Sequence, residues 1–193
     1  SKGSSMDANE IKKILELHHE WLESEGKSGA RAELSGADLR RADLRRADLR
    51  RACLRRVNLS EADLRFADLR DVDLTFSNLR GVKLERADLR RAVLREAKLR
   101  HAYLRRVNLS EAELSFADLR DVDLKFSNLS SAKFEGADLR RVNLRLTDLR
   151  HANLRAADLS EANLSLADLS GADLSGADLR DADLSGAKRG AIK

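Results

Sequence analysis

Leucine returns at every fifth position of this chain from Leu34 to Leu184, in 31 consecutive places with one exception, Phe134. Two residues ahead of each stands a small side chain: alanine 22 times, valine six times, and Ser77, Ser127 and Thr147 in the remaining three. The residue directly before the leucine is Asp 16 times and Asn seven times, and the residue directly after is Arg 17 times and Ser ten times. The unit A-(D/N)-L-(R/S)-x therefore repeats without insertion or deletion. A helix cannot use this period, because five residues at 3.6 per turn advance about 140° beyond a full turn and scatter the leucines around the surface. A straight strand cannot use it either, because odd spacing puts successive leucines on opposite faces. The pattern needs a backbone that turns a corner every five residues. If four corners close a square coil, each leucine points inward with the small residue two before it, and the other three positions point outward. One coil alone cannot bury its leucines; a stack of coils at about the 4.8 Å spacing of paired strands can.

These residues, in unbroken register from 32 to about 188, resemble the pentapeptide repeat protein family. The resemblance implies an all-β fold, a right-handed quadrilateral β-helix with four pentapeptides per coil. The 31 units then give about 7.75 coils and a rod roughly 37 Å long.

Composition agrees with a core made from one repeated shape. Aromatic residues are only 4%, too few for an irregular core that leans on large rings. The apolar share of 42% is too high for a disordered chain. Proline is absent, as expected where most positions need their backbone donor for stacking. The 37 basic and 33 acidic residues leave a net charge of +4, which by itself points to no nucleic-acid partner. The single cysteine, Cys53, excludes an internal disulfide and fits a reducing compartment. No run is long and apolar enough to span a membrane. These features predict a cytoplasmic protein, and the family resemblance implies a bacterial one.

A stack of coils has two open ends that need covering. Residues 7–30 supply a capping helix and linker at one of them. Asp7-Ala8-Asn9-Glu10 has the form of a capping box, and Ile11, Ile14, Leu15, Trp21 and Leu22 recur at helical spacing. The spacing predicts an amphipathic helix over 8–25, lying on the first coil and stopped by Gly26 and Gly29. The stretch His18-x-x-Trp21-Leu22 followed by Arg31-Ala32-x-Leu34 resembles the start of the coil in bacterial members of the family. Residues 1–6 read as a cloning scar and start methionine, 31–188 as the β-helix and 189–193 as a basic tail, leaving a last coil without an evident cap that either the tail shields or a second copy covers.

Residues 20 apart should stack. Aspartate before and arginine after each leucine then become neighbours within and between coils. This reads as a surface ion-pair lattice, with a phosphate-binding face disfavoured because acid interrupts base at every step. Residues 51–100 and 101–150 match at 35 of 50 positions, a block duplication of two and a half coils that puts the copies on opposite sides of the square. The outward fifth position holds Phe76, Phe116, Phe126, Leu146 and Leu166. Phe126, Leu146 and Leu166 are spaced by 20 and form an apolar column, with Phe76 and Phe116 on the opposite side. They read either as local corner packing or as a partner surface.

No constellation of catalytic groups emerges. His18 and His19 lie on the cap helix, and His101 and His151 fall on opposite sides, with no metal spacing to Cys53. The sequence thus predicts no enzyme, no cofactor, no metal, and a non-catalytic structural or protein-interaction rod. Its expected partner is protein, including a second copy through the last coil or the apolar column. Some family members resemble duplex DNA and bind DNA gyrase or topoisomerase IV; the positive net charge here departs from that group. An engineered repeat scaffold is a further reading of the uniform register.

Overall fold

The computed structural model describes residues 5–193, so the scar reading of 1–4 lies outside it. The chain forms helix α1, Ala8–Glu23, followed by a stack of square coils. Parallel bridges link residues 20 apart from Glu33–Cys53 to Asp168–Lys188. Four pentapeptides therefore make one coil, and the four faces carry the leucine columns that begin at Leu34, Leu39, Leu44 and Leu49. We call these the first to fourth faces.

A pentapeptide with Asp or Asn before its leucine, such as 57–61, uses all five of its backbone N–H groups. The leucine N–H donates to the next coil, as in Leu39 to the Asn58 carbonyl at 2.8 Å, and the preceding residue donates back, as in Asn58 to Ala37 at 3.0 Å. The corner residue donates to the next coil as well, as in Arg41 to Ser60 at 3.0 Å. The small residue closes the turn, as in Ala42 to the Leu39 carbonyl at 3.1 Å. The residue after the leucine is left, and its N–H donates to the Asp or Asn side chain two residues earlier. All 23 Asp and Asn residues of that column accept this bond, at 2.9–3.3 Å. Proline would remove a used donor at every position of the unit.

The corner is a type II turn, with φ negative after the leucine and positive at the next residue. All 31 corner residues sit in the left-handed region, and only six are glycine. Each of the others costs about 1 kcal/mol of backbone strain, which the saturated hydrogen bonding and the leucine core over-determine. The leucines and small residues form one continuous buried column from Ala32 to Ala172.

Two glycine corners separate strain from crowding. A Cβ at Gly36 (φ 71°) meets open space, whereas at Gly136 (φ 66°) it would lie 2.6 Å from Phe116 Cδ1, whose ring covers the corner. Gly36→Ala should cost about 1 kcal/mol by strain alone. Gly136→Ala should cost about 1–3 kcal/mol more, since the ring must leave its place, and Phe116→Ala should erase the difference. Equal urea midpoints for the two glycine variants would refute this account.

The cap is held differently from the expectation. Asp7 Oδ1 accepts from the Glu10 N–H at 2.9 Å, and Ile11, Ile14 and Leu15 pack with Met6 on the first coil. Helix α1 ends at Glu23, two residues early, because Gly26 donates back to the Trp21 carbonyl at 2.8 Å and reverses the chain. Trp21 and Leu22 are half-buried and lie outside the core contact. Trp21 instead stacks on His18, with centroids 5.6 Å apart, under the Arg51 guanidinium. His18 is the fully buried residue of the helix. Its Nδ1 accepts from the Ala32 N–H at 2.9 Å and its Nε2–H donates to the Arg50 carbonyl at 2.8 Å. Those two groups open the first coil: no leucine turn precedes Ala32 and no coil precedes Arg50 to pair with them. Met6 fills another such place by donating to the Asp38 carbonyl at 3.1 Å, beside a bridge from Ser5 to Asp38.

At the other end the basic tail follows the coil path. Lys193 donates to Ala172 at 2.9 Å and accepts from Leu174 at 2.7 Å, in the place that residues 20 earlier occupy.

Candidate interaction surface

Most of the exterior is an electrostatically closed lattice. Arg40 grips Asp38 through two bonds of 2.9 and 2.7 Å, and this bidentate pairing recurs along the rod. On the fourth face Arg50 also reaches Asp68 of the next coil at 3.6 Å, and Arg70 reaches Asp88 at 3.7 Å. The Arg45 guanidinium and backbone N–H hold the Asp43 carboxyl down to about 2.

Summing the residue before each leucine, the one after, and the following corner gives the charge of each face. The second face has nine cations and nine anions, and the fourth has six cations and seven anions. The first has five cations and six anions. The third has nine cations and five anions, a net +4 equal to that of the whole chain. The remaining residues contribute eight cations and six anions.

The third face also carries the apolar ridge. Phe126, Leu146 and Leu166 are 43%, 42% and 46% exposed and occupy one corner on three successive coils, joined by the bonds from Phe126 to Arg145 and from Leu146 to Ser165. Phe66 stands in the same column, and Tyr103, the most exposed ring but one, lies on the same face. Arg46 lies over the Phe66 ring at 4.7 Å and Arg106 over Phe126 at 4.7 Å. Phe76 and Phe116 are exposed on the opposite, first-face corner and are separated by Glu96, so they do not join the ridge. Arg56 covers Phe76 at 4.6 Å and Phe116 covers Gly136, which is the corner packing expected as the alternative.

The remaining polar groups converge on no reactive arrangement. His101 and His151 fall on the second and fourth corners, and Cys53 Sγ lies 3.2 Å from Ser35 Oγ on the first face. Among the described residues no three His, Cys, Asp or Glu side chains gather as metal ligands, and no helix is long and apolar enough to cross a membrane. An open groove of about 870 Å³ runs beside α1 over Ala42 and Ala47.

The family model for pentapeptide repeats matches the chain in overlapping segments from residues 30–60 to 147–186. This chain is a pentapeptide repeat protein. Its fold is the right-handed quadrilateral β-helix of that family, with an N-terminal helical cap. The structure is similar to HetL, a pentapeptide repeat protein involved in heterocyst differentiation regulation in the cyanobacterium Nostoc sp. strain PCC 7120, at 35% identity and a TM-score of 0.57, over 81% of this chain and 80% of HetL. It is also similar to a trypsin-treated variant of QnrB1, a plasmid-mediated fluoroquinolone resistance protein, at 19% identity and a TM-score of 0.52, over 84% of this chain and 90% of that one. The latter likeness is one of fold alone. No curated protein sequence matches the chain. Within this pentapeptide repeat protein, the third face is therefore the surface that departs from the neutral lattice.

Proposed function

We propose that the protein is a non-catalytic rod that docks another protein on its third face, through the Phe126–Leu146–Leu166 ridge. The carrying observation is the coincidence of that ridge with the one face whose charges are out of balance by more than one. Contiguous exposed apolar side chains on a solvated surface mark interaction sites. The strained corner that displays them fixes their spacing before binding, which lowers the ordering cost of association. Imitation of DNA is disfavoured, because that needs a dense run of negative charge and no face here is more negative than −1.

Phe126→Glu tests the reading against Phe76→Glu on the opposite corner. Both sites are exposed, so both variants should melt with the native protein. In pull-downs from one bacterial extract, a protein retained by the native chain and by Phe76→Glu should be lost with Phe126→Glu. Retention by all three would overturn the proposal.

A further inference from the structure

We infer that the partner presents an acidic amphipathic helix, laid along the rod with its apolar stripe on the Phe126–Leu146–Leu166 ridge and its carboxylates toward the cations of the third face. This rests on the docking reading above and adds the chemistry of what docks.

The cations concentrate beside and above the ridge. Between residues 83 and 145 the third face and its corner hold Lys83, Arg86, Arg105, Arg106, Lys125 and Arg145 against two anions, Glu85 and Asp123. Arg105 is spent on Asp123 at 2.5 Å, and Arg145 bonds the Ser165 hydroxyl at 3.0 Å. Lys83, Arg86 and Arg106 are exposed and have no carboxylate within ion-pair distance among the described residues. Along the rod ten of the 17 arginines that follow a leucine are neutralised by the Asp two residues earlier. Here the column before the leucine replaces Asp with Lys83 and then Tyr103 on consecutive coils. Those two sites give up the side-chain acceptor for the next N–H, a bond worth about 1 kcal/mol, and display a cation and a ring in exchange.

Spacing selects a helix. Phe126 to Leu166 is two coil steps, about 10 Å. Leucines at i, i+4 and i+7 of a helix also span about 10 Å. The flanking positions of such a helix then fall beside Arg106 and Lys125, where glutamates gain charge complementarity. A nucleic-acid strand fits less well. Leu146 and Leu166 offer no ring for base stacking, the Phe66 and Phe126 rings are covered by Arg46 and Arg106, and Asp123 sits inside the patch against phosphate.

The probe is a synthetic amphipathic peptide with a leucine stripe and glutamate elsewhere, labelled for fluorescence anisotropy. Lys83→Glu/Arg86→Glu/Arg106→Glu is compared with Arg80→Glu/Lys98→Glu/Lys133→Glu, which has the same net charge but alters the first and second faces. The native chain should bind the glutamate peptide, more weakly as salt rises. The third-face triple should lose about tenfold or more in affinity while the control triple loses little. A peptide with lysine in place of glutamate should not bind. Equal losses in the two triples, or equal binding of both peptides, would overturn the inference. So would an oligo(dT) strand that binds more tightly than the glutamate peptide and is lost in the third-face triple. Phe126→Glu separates the two levels: loss there with no effect of the third-face triple removes the acidic partner and leaves the docking surface, while loss in neither removes both.

Discussion

Leu89→Ala should lower the unfolding free energy by about 3 kcal/mol, among the largest effects any single truncation of the core can have. Leu89 is fully buried, and its backbone places it between Leu69 and Leu109 of the neighbouring coils. The strained corners prevent collapse of the backbone around the hole, and the flanking Ala87 is too small to fill it. A solenoid adds a second consequence, because each coil touches only its neighbours. The same change at Leu179, which is half-buried in the final, incomplete coil, should cost about 1 kcal/mol or less. Urea unfolding followed by circular dichroism measures both. A cost below about 1 kcal/mol at Leu89, or equal costs at the two sites, would show that the stack relaxes more freely than its hydrogen-bond net implies.

The fold was legible because leucine never leaves its period, and a strict period of five admits few backbones. Register was legible for the same reason once four sides were assumed, so Phe126, Leu146 and Leu166 could be aligned by counting in twenties. The same count would have added Phe66 to the column. The aspartates were only half understood. Their alternation with arginine suggests ion pairs, and those form, but the more general task is to accept the N–H after the leucine, which Asn performs equally and a charge pattern cannot reveal. The +4 total was uninformative as a sum; it acquires meaning only when divided by face, where Arg86, Arg106 and Lys83 fall together. His18 left no periodic signal at all. It is a polar residue on the inner side of α1, and only the open groups of the first coil, the Ala32 N–H and the Arg50 carbonyl, explain why a ring that both accepts and donates belongs there.

That arrangement makes the cap the acid-sensitive part of the molecule. With Nδ1 accepting and Nε2–H donating, the buried ring must be neutral; a second proton would set an N–H against the Ala32 N–H. Burial pushes the His18 pKa below 6.5, and the nearby Arg31 and Arg50 charges push the same way, while the Arg50 carbonyl and Asp48 oppose them. The unfolded cap therefore binds a proton more readily than the folded one. Its stability is complete above about pH 6.5 and falls by up to about 1.4 kcal/mol per pH unit below that, until the folded pKa is reached. The Asp–Arg lattice responds in more acidic solution, with Asp43 titrating near 2. Trp21, the single tryptophan, stacks on His18 and reports the event. Its fluorescence should change on acidification with a midpoint below 6.5, before the circular dichroism of the coils changes. His18→Gln keeps a donor and an acceptor without a titrating ring, so it should flatten the Trp21 profile between pH 7.5 and 4.5. His18→Ala should open the cap at every pH, at a cost of about 2–4 kcal/mol for two unpaired backbone groups and the lost ring. A Trp21 profile that is the same in native protein and His18→Gln would show that the cap is held by Met6, Ile11, Ile14 and Leu15 alone.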